Sequence, residues 1–356
     1  MTPQNILVEA TRISGVFRDA GALPVEAAIL QPARVLLDLY GEDIRGRAFV
    51  TDDPVQGEMM LRPDFTVPVV QMHMQTRAEP ARYTYAGPVF RQQVEEPHRV
   101  REYAQVGYEV FAQDRAAADA EVFATVKTAL GDAPLKPATG DIGLLKAAIS
   151  GLKTSDARKA ALTRHIWRPK RFKALLERFG GQKPVPPKRE ALLAKADPFE
   201  GQGPAVGLRR RVEVQARIDA LRADAETPPI STMEIALIEA LLGLEETLPH
   251  VLSSLRDLAV DLPVITGAVD LFDARVTALD ARGVDVDALA FEGSYGRTSL
   301  EYYDGFVFGF YGKKDVRPVA TGGRYDALTA VLGEGRAVPA VGAVIRPDLL
   351  LEVTSC

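Results

Sequence analysis

The ten residues REYAQVGYEV, Arg101 to Val110, carry side chains poorly suited to a hydrophobic core. As a strand they would send Arg101, Tyr103, Gln105, Gly107 and Glu109 to one face and Glu102, Ala104, Val106, Tyr108 and Val110 to the other. Arginine, glutamine and glutamate around a glycine that leaves room make a floor for a small zwitterion. Buried without partners, such groups cost about 1–3 kcal/mol each. The face is therefore either a pocket floor or the solvent side of an edge strand. Three further stretches place polar groups on strands or strand ends: LRPDFT (Arg62, Asp64, Thr66), EYYDGFVF (Glu301, Tyr302, Tyr303) followed by TGGRYD, and AVGAVIRPDLLLE, where small residues lead into Arg346. Carboxylates at Asp64 and Glu109 suit an α-ammonium group; Gln105 suits a carboxylate or a ring nitrogen.

These groups need a sheet to hold them, and the chain supplies the elements. Ile6, Ala10, Ile13 and Phe17 recur at helical spacing and predict a helix that ends at Gly21. VEAAILQPARVLLDLYG reads as strand, a break at Pro32, then helix. MMLRPDFTVPVVQMHM reads as a short strand and a helix from near Asp64. ARYTYAGPVFRQQ and REYAQVGYEVFA form a hairpin with the long tip VEEPHRV. A helix over about Ala116–Leu130 and a strand near Leu135–Asp141 follow. From about Gly143 to Leu262 aromatics thin out and helical patterns dominate; Met233, Leu237, Leu241, Leu244 and Leu248 would share one face. A helix over Ala268–Arg282 returns to three strands, ALAFEGS, EYYDGFVFGFYG and RPVATG, and GRYDALTAVLG and PAVGAVIRPDLLLEV close the chain with helices. The expected architecture is α+β. Residues 1–142 and 263–356 would form one domain around a mainly antiparallel sheet, and 143–262 a helical insertion.

Several classes of function are disfavoured. A net charge of −5 counts against a protein built chiefly around nucleic acid. The densest basic stretches, RHIWRPKRFK (Arg164–Lys173) and Arg209–Arg211, read as solvated helix faces or partner contacts. No apolar run approaches the roughly 18 residues of a membrane span. The start MTPQNILVEATR lacks the features of a signal peptide, and Cys356 is the single cysteine, so the expectation is a cytoplasmic chain without disulfides. His73, His98, His165 and His250 are scattered, and no metal or cofactor is expected. GQGPAVG (201–207) and SGLKTS near Gly151 lack the strand and the glycine that phosphate loops need.

Six segments, ordered along the chain, resemble the motifs of class II aminoacyl-tRNA synthetases, and of the histidyl-tRNA synthetase family in particular. The strand–Pro32–helix segment is similar to motif 1, FRQQ…REYAQVGYEVF to motif 2 and AVGAVIRPDLLLE to motif 3. LRPDFT is similar to the family's LRPEGT, LEYYDGFVF to LDYYTGTVFE and TGGRYDAL to AGGRYDGL. The resemblance covers about residues 1–140 and 263–356. It implies an antiparallel catalytic-core sheet and a histidine site of Asp64, Thr66, Arg91, Gln105, Glu109, Tyr302 and Tyr303. Asp64 and Glu109 would hold the α-ammonium, Arg91 and Gln105 the carboxylate side, and the tyrosines with Glu301 the imidazole. Arg324 and Tyr325 suit capping and packing as well as the pocket.

Departures from the enzymes are equally specific. The family's RGLDYY carries an arginine that activates the histidine carboxylate; here Thr298 takes that position and Arg297 falls one residue away. On a strand that slip turns a side chain to the opposite face. Ile345 stands where motif 3 offers a glutamate before its arginine, and Pro347 follows Arg346. The chain stops about ten residues after motif 3, so no anticodon-binding domain is expected. This combination resembles a non-catalytic branch of the lineage, the regulatory-subunit family of ATP phosphoribosyltransferase. That resemblance implies a short-form catalytic subunit as partner, a homodimer through motif 1, a hetero-octamer, and histidine as the ligand that confers feedback inhibition. Rival readings are a truncated histidyl-tRNA synthetase-like adenylating ligase and a sensor of uncharged tRNA or another amino acid.

Overall fold

The computed structural model describes residues 2–40, 42–76, 78–92, 100–201, 203, 207–297, 302–312 and 317–355, with backbone only at 40, 42 and 43. The hairpin tip at 93–99, Thr298, Glu301 and Cys356 lie outside the described residues.

The first helix, α1 (Pro3–Asp19), starts where Thr2 accepts the Asn5 N–H and buries Ala10, Ile13 and Phe17. Strands β1 (Leu23–Pro24) and β2 (Leu30–Pro32) precede α2 (Ala33–Tyr40), and β3 (Val50–Asp53) and β4 (Gly57–Leu61) lead from it to α3 (Thr66–Thr76). The long hairpin β5 (Ala81–Phe90) and β6 (Glu102–Phe111) precedes α4 (Arg115–Leu130) and β7 (Lys136–Asp141). A helical stretch follows: α5 (Ile142–Gly151), α6 (Asp156–Arg164), α7 (Pro169–Phe179), α8 (Pro187–Ala194), α9 (Arg211–Glu226) and α10 (Thr232–Leu242). Then come β8 (Glu245–Thr247), α11 (Leu248–Asp261), α12 (Thr266–Asp280), β9 (Ala290–Glu292), β10 (Phe306–Tyr311), β11 (Pro318–Arg324), α13 (Asp326–Leu332), β12 (Ala340–Ile345) and α14 (Pro347–Thr354).

Nine strands form one sheet in the order β1-β5-β6-β12-β11-β10-β7-β9-β8, antiparallel except at β1–β5 and β7–β9. The remaining three pair as β2-β4-β3 and enclose a small core of Ala33, Leu36, Ile44, Ala48, Met60 and Val67. This is the α+β sheet flanked by helices that the sequence implied.

Three local expectations fail. The apolar positions from Met233 to Leu248 do not share a helix face. Gly243 ends α10, Glu245–Thr247 pair with β9, and α10 buries Ile235, Ile238 and Leu241 while Met233 is exposed. AVGAVI is a strand, β12, wedged between β6 and β11. Tyr302 and Tyr303 precede their strand, which begins only at Phe306. Asp304 explains the delay: its carboxylate accepts the N–H groups of Asp326 and Ala327 at 3.0 and 2.8 Å, capping α13.

A buried ionic network ties the sheet to its helices. Arg324, at the end of β11, donates to Asp119 of α4 at 2.7 Å and to Asp326 at 2.9 Å. Arg275 of α12 donates to the other Asp119 oxygen at 2.9 Å and to Asp141 at 2.8 Å, and Asp141 in turn caps α5 through the Gly143 N–H. Burying charges is costly unless each finds partners; each of these side chains has an ionic partner, although Arg275 Nη2 has none among the described residues.

Candidate functional site

Register builds the site. Gln105, Gly107 and Glu109 alternate onto one face of β6; Gly107 pairs with Tyr85 on β5 and Glu109 with Gly342 on β12. Gly342 pairs onward with Gly323 on β11. The glycines make room that side chains fill. A Cβ at Gly342 would overlap the Glu109 carboxylate, one at Gly107 would overlap the Tyr85 ring, and one at Gly323 would press on Tyr303 at 2.9 Å.

Glu109 is the centre of this arrangement. Its Oε1 accepts from Tyr85 at 2.8 Å and Thr66 at 3.1 Å, and its Oε2 accepts from Tyr325 at 2.6 Å. Burial pushes its pKa up to about 7 even though the three hydroxyls and the nearby Asp64 act in opposite senses. Burial also raises Asp64, against the pull of Arg91 and of backbone N–H groups, among them Val67. Tyr85, Tyr302, Tyr303 and Tyr325 are raised by burial and then by neighbouring charges and hydroxyls, so they stay protonated donors. Tyr302 packs edge-on against Tyr303 at 4.8 Å and faces Tyr325 at 6.2 Å.

Asp64, Thr66, Glu109, Tyr302 and Tyr303 therefore come together. Arg91 and Gln105 sit beside them in an adjoining cleft of about 190 Å³, lined also by Tyr103, Thr321 and Arg346. Arg91 donates to the Pro63 carbonyl at 2.9 Å, and the buried Gln105 Oε1 has no hydrogen-bond donor among the described residues. Arg346 lies over the Tyr103 ring at 3.7 Å and pairs with Asp348 at 2.9 Å. Buried carboxylates thus stand beside a cleft lined by cations. Arg62 is structural: it donates to Pro88 at 2.9 Å and covers Phe65 at 3.9 Å.

Sequence reasoning passed over Tyr85 and left Tyr325 undecided. Tyr85 had a readable signal, because alternation in ARYTYAGPVF puts it beside Gly107 once the hairpin register is set. Arg297 corrects the strand argument. It lies in a turn rather than on a strand, donates to the Ile166 carbonyl at 3.0 Å and covers Phe172 at 4.8 Å. Its burial is against helical residues, and what aims it is the turn and not strand alternation.

The histidyl-tRNA synthetase family profile matches residues 8–226 and 210–350. An ATP phosphoribosyltransferase regulatory subunit from Mesorhizobium japonicum is 30% identical over 363 residues, covering 95% of each chain. Another from Brucella ovis is 31% identical over 350 residues and 92% of each. The chain belongs to the histidyl-tRNA synthetase-like family of ATP phosphoribosyltransferase regulatory subunits. Solved structures agree on the fold. An ATP phosphoribosyltransferase regulatory subunit/histidyl-tRNA synthetase from Bacillus halodurans superposes with a TM-score of 0.70 at 21% identity, covering 98% of this chain and 79% of that one. A histidine–tRNA ligase subunit from Alicyclobacillus acidocaldarius gives 0.62 at 20% identity over 100% and 95%. Family membership places the chain in histidine biosynthesis, beside a catalytic subunit. No described helix is long and apolar enough to cross a membrane, and no metal-holding cluster of histidine, cysteine and carboxylate occurs among the described residues.

Proposed function

We propose that this chain is a histidine-sensing regulatory subunit that does no chemistry itself. It activates a short catalytic ATP phosphoribosyltransferase subunit and inhibits it when histidine fills the site. One observation carries the reading: buried carboxylates at Asp64 and Glu109 lie beside a cleft lined by Arg91 and Gln105, with Arg91 close enough to act on Asp64. An α-amino acid presents the complementary charges, ammonium to the carboxylates and carboxylate to Arg91 and Gln105. Tyr302 and Tyr303, close to Glu109, would meet the polar ring of the ligand. The attachment of Arg297 to Ile166 supports loss of the carboxylate-activating role. Exposed Leu23, Ile29, Leu30 and Val50 around the strand–Pro32–helix segment support a homodimer there.

Calorimetric titration with histidine, alone and with the catalytic subunit, tests this. Histidine should bind, should alter the partner's activity, and should support no exchange of pyrophosphate into ATP. Absence of binding in both settings refutes the sensor. The adenylating-ligase reading keeps one observation in its favour, the shared cleft of Arg91 and Arg346, and measurable exchange would establish it instead.

A further inference from the structure

Tyr325 gives Glu109 its shortest hydrogen bond, at 2.6 Å, and gives it from an awkward place. It is the N-cap of α13 and makes no side-chain cap bond. Serine, threonine, aspartate and asparagine suit an N-cap because their oxygens accept N–H groups left open in the first turn. A tyrosine committed to Glu109 cannot do this. The cap has to come from elsewhere, and it comes from the segment that carries Tyr302 and Tyr303.

Asp304 brackets Tyr325. Its N–H donates to the Arg324 carbonyl at 2.9 Å, just before Tyr325. Its carboxylate accepts the N–H groups of Asp326 and Ala327 at 3.0 and 2.8 Å, just after. Only 12% of the Asp304 side chain is exposed. Burial raises its pKa, Lys146 of α5 opposes this from 3.6 Å, and Asp326 adds to the rise. The next residue is held too, since the Ile142 N–H at the start of α5 donates to the Gly305 carbonyl at 2.9 Å. A Cβ at Gly323 would meet the Tyr303 ring at 2.9 Å, so β11 both supports Tyr303 and delivers Tyr325. In LEYYDGFVF this aspartate stands where the similar synthetase motif LDYYTGTVFE has a threonine. A hydroxyl offers one oxygen; the carboxylate offers two and uses one for each N–H.

We propose that Asp304 is a positioning residue of the histidine site: by capping α13 in place of Tyr325, it leaves the Tyr325 hydroxyl free to hold Glu109. The inference deepens the proposed histidine site and rests on it. Glu109 reports on the arrangement. It faces Asp64 and Thr66, Tyr85 of β5, Tyr325, and Tyr302 and Tyr303 ahead of β10, while β12 presents Gly342. Burial raises its pKa, and the Tyr325 hydroxyl does most to hold it down. Removing the Asp304 charge would by itself favour ionised Glu109, whereas losing the Tyr325 hydroxyl disfavours it. Charge and position therefore push the titration in opposite directions.

NMR of the full chain, labelled at its glutamate carboxyl carbons, follows this titration without ligand; loss of the signal in Glu109→Gln assigns it. The wild-type midpoint should lie at about 7. Asp304→Ala should raise it by about one pH unit, the worth of one hydrogen bond to a charged group. Histidine binding at pH 7 should then weaken about fivefold in calorimetry. Tyr325→Phe should raise the midpoint likewise, and Asp304→Ala added to it should raise it no further, because the two act through one bond. Asp304→Asn keeps one acceptor, so its midpoint should rise by less, and it serves where the alanine variant does not fold. A midpoint that stays or falls in a folded variant, in a chain that binds histidine, overturns the role of Asp304 alone; a merely structural cap would lower stability and leave the titration in place. Additive shifts in the double variant overturn it as well. A wild-type chain that binds no histidine, alone or with the catalytic subunit, overturns the functional reading and this inference with it.

Discussion

Acidification from pH 7 to pH 5 should weaken histidine binding by up to about a hundredfold, or roughly 3 kcal/mol, because each pKa unit is worth about 1.4 kcal/mol. In the free chain Glu109 holds its proton up to about pH 7, burial being the dominant cause. An ammonium group against its oxygens favours the ionised form and returns the pKa toward the ordinary 4.5. Between those values the ligand must displace a proton, so affinity rises with pH up to 7 and levels off above it. The same shift makes the free chain less stable as pH rises from 4.5 to 7, because there the folded state binds more protons than the unfolded one. Calorimetry in two buffers of different ionisation enthalpy should count nearly one released proton at pH 6. Histidine's own imidazole titrates near 6.5, and Glu109→Gln isolates its share by removing only the carboxylate's. Identical pH profiles for wild type and Glu109→Gln would refute the placement of the ammonium at Glu109.

Other perturbations follow from the same geometry. Gly342→Ala puts a methyl group into the Glu109 carboxylate and should abolish histidine binding while costing about 1–3 kcal/mol of stability in urea titrations. Tyr85→Phe removes a 2.8 Å donor to Glu109 and should move the pH midpoint of histidine binding upward, measured by the same calorimetry. Asp119→Ala leaves Arg275 and Arg324 short of their shared carboxylate, and should lower the unfolding free energy by about 3–5 kcal/mol.

The sequence made the sheet readable because period-two patterns such as REYAQVGYEV state both the element and the face. It made the carboxylate end readable for the same reason, since Gln105, Gly107 and Glu109 share one face in any register. What it hid depended on pairing between distant strands. Tyr85 becomes a donor to Glu109 only through the β5–β6 register, and Tyr325 only because β11 ends beside β12. The break at Gly243 was hidden by leucines on both sides of it, which continue a helical spacing although Glu245–Thr247 pair with β9.

Under the proposed function, Arg297 is where a fold would keep a pocket while parting with a reaction. Gln105, Glu109, Gly323 and Gly342 are fixed by ladder hydrogen bonds, so moving any of them would disturb four paired strands. Arg297 has no such tether. It sits in a turn after Gly296, whose φ of +84° is a conformation that favours glycine, and its direction is set by one carbonyl and one ring of the helical stretch. A binding site written into register resists drift, whereas a residue aimed by a turn can be recruited elsewhere at little cost to the sheet. Under that reading, recognition of a small zwitterion and chemistry upon it would be separable in this architecture, because different kinds of backbone hold them.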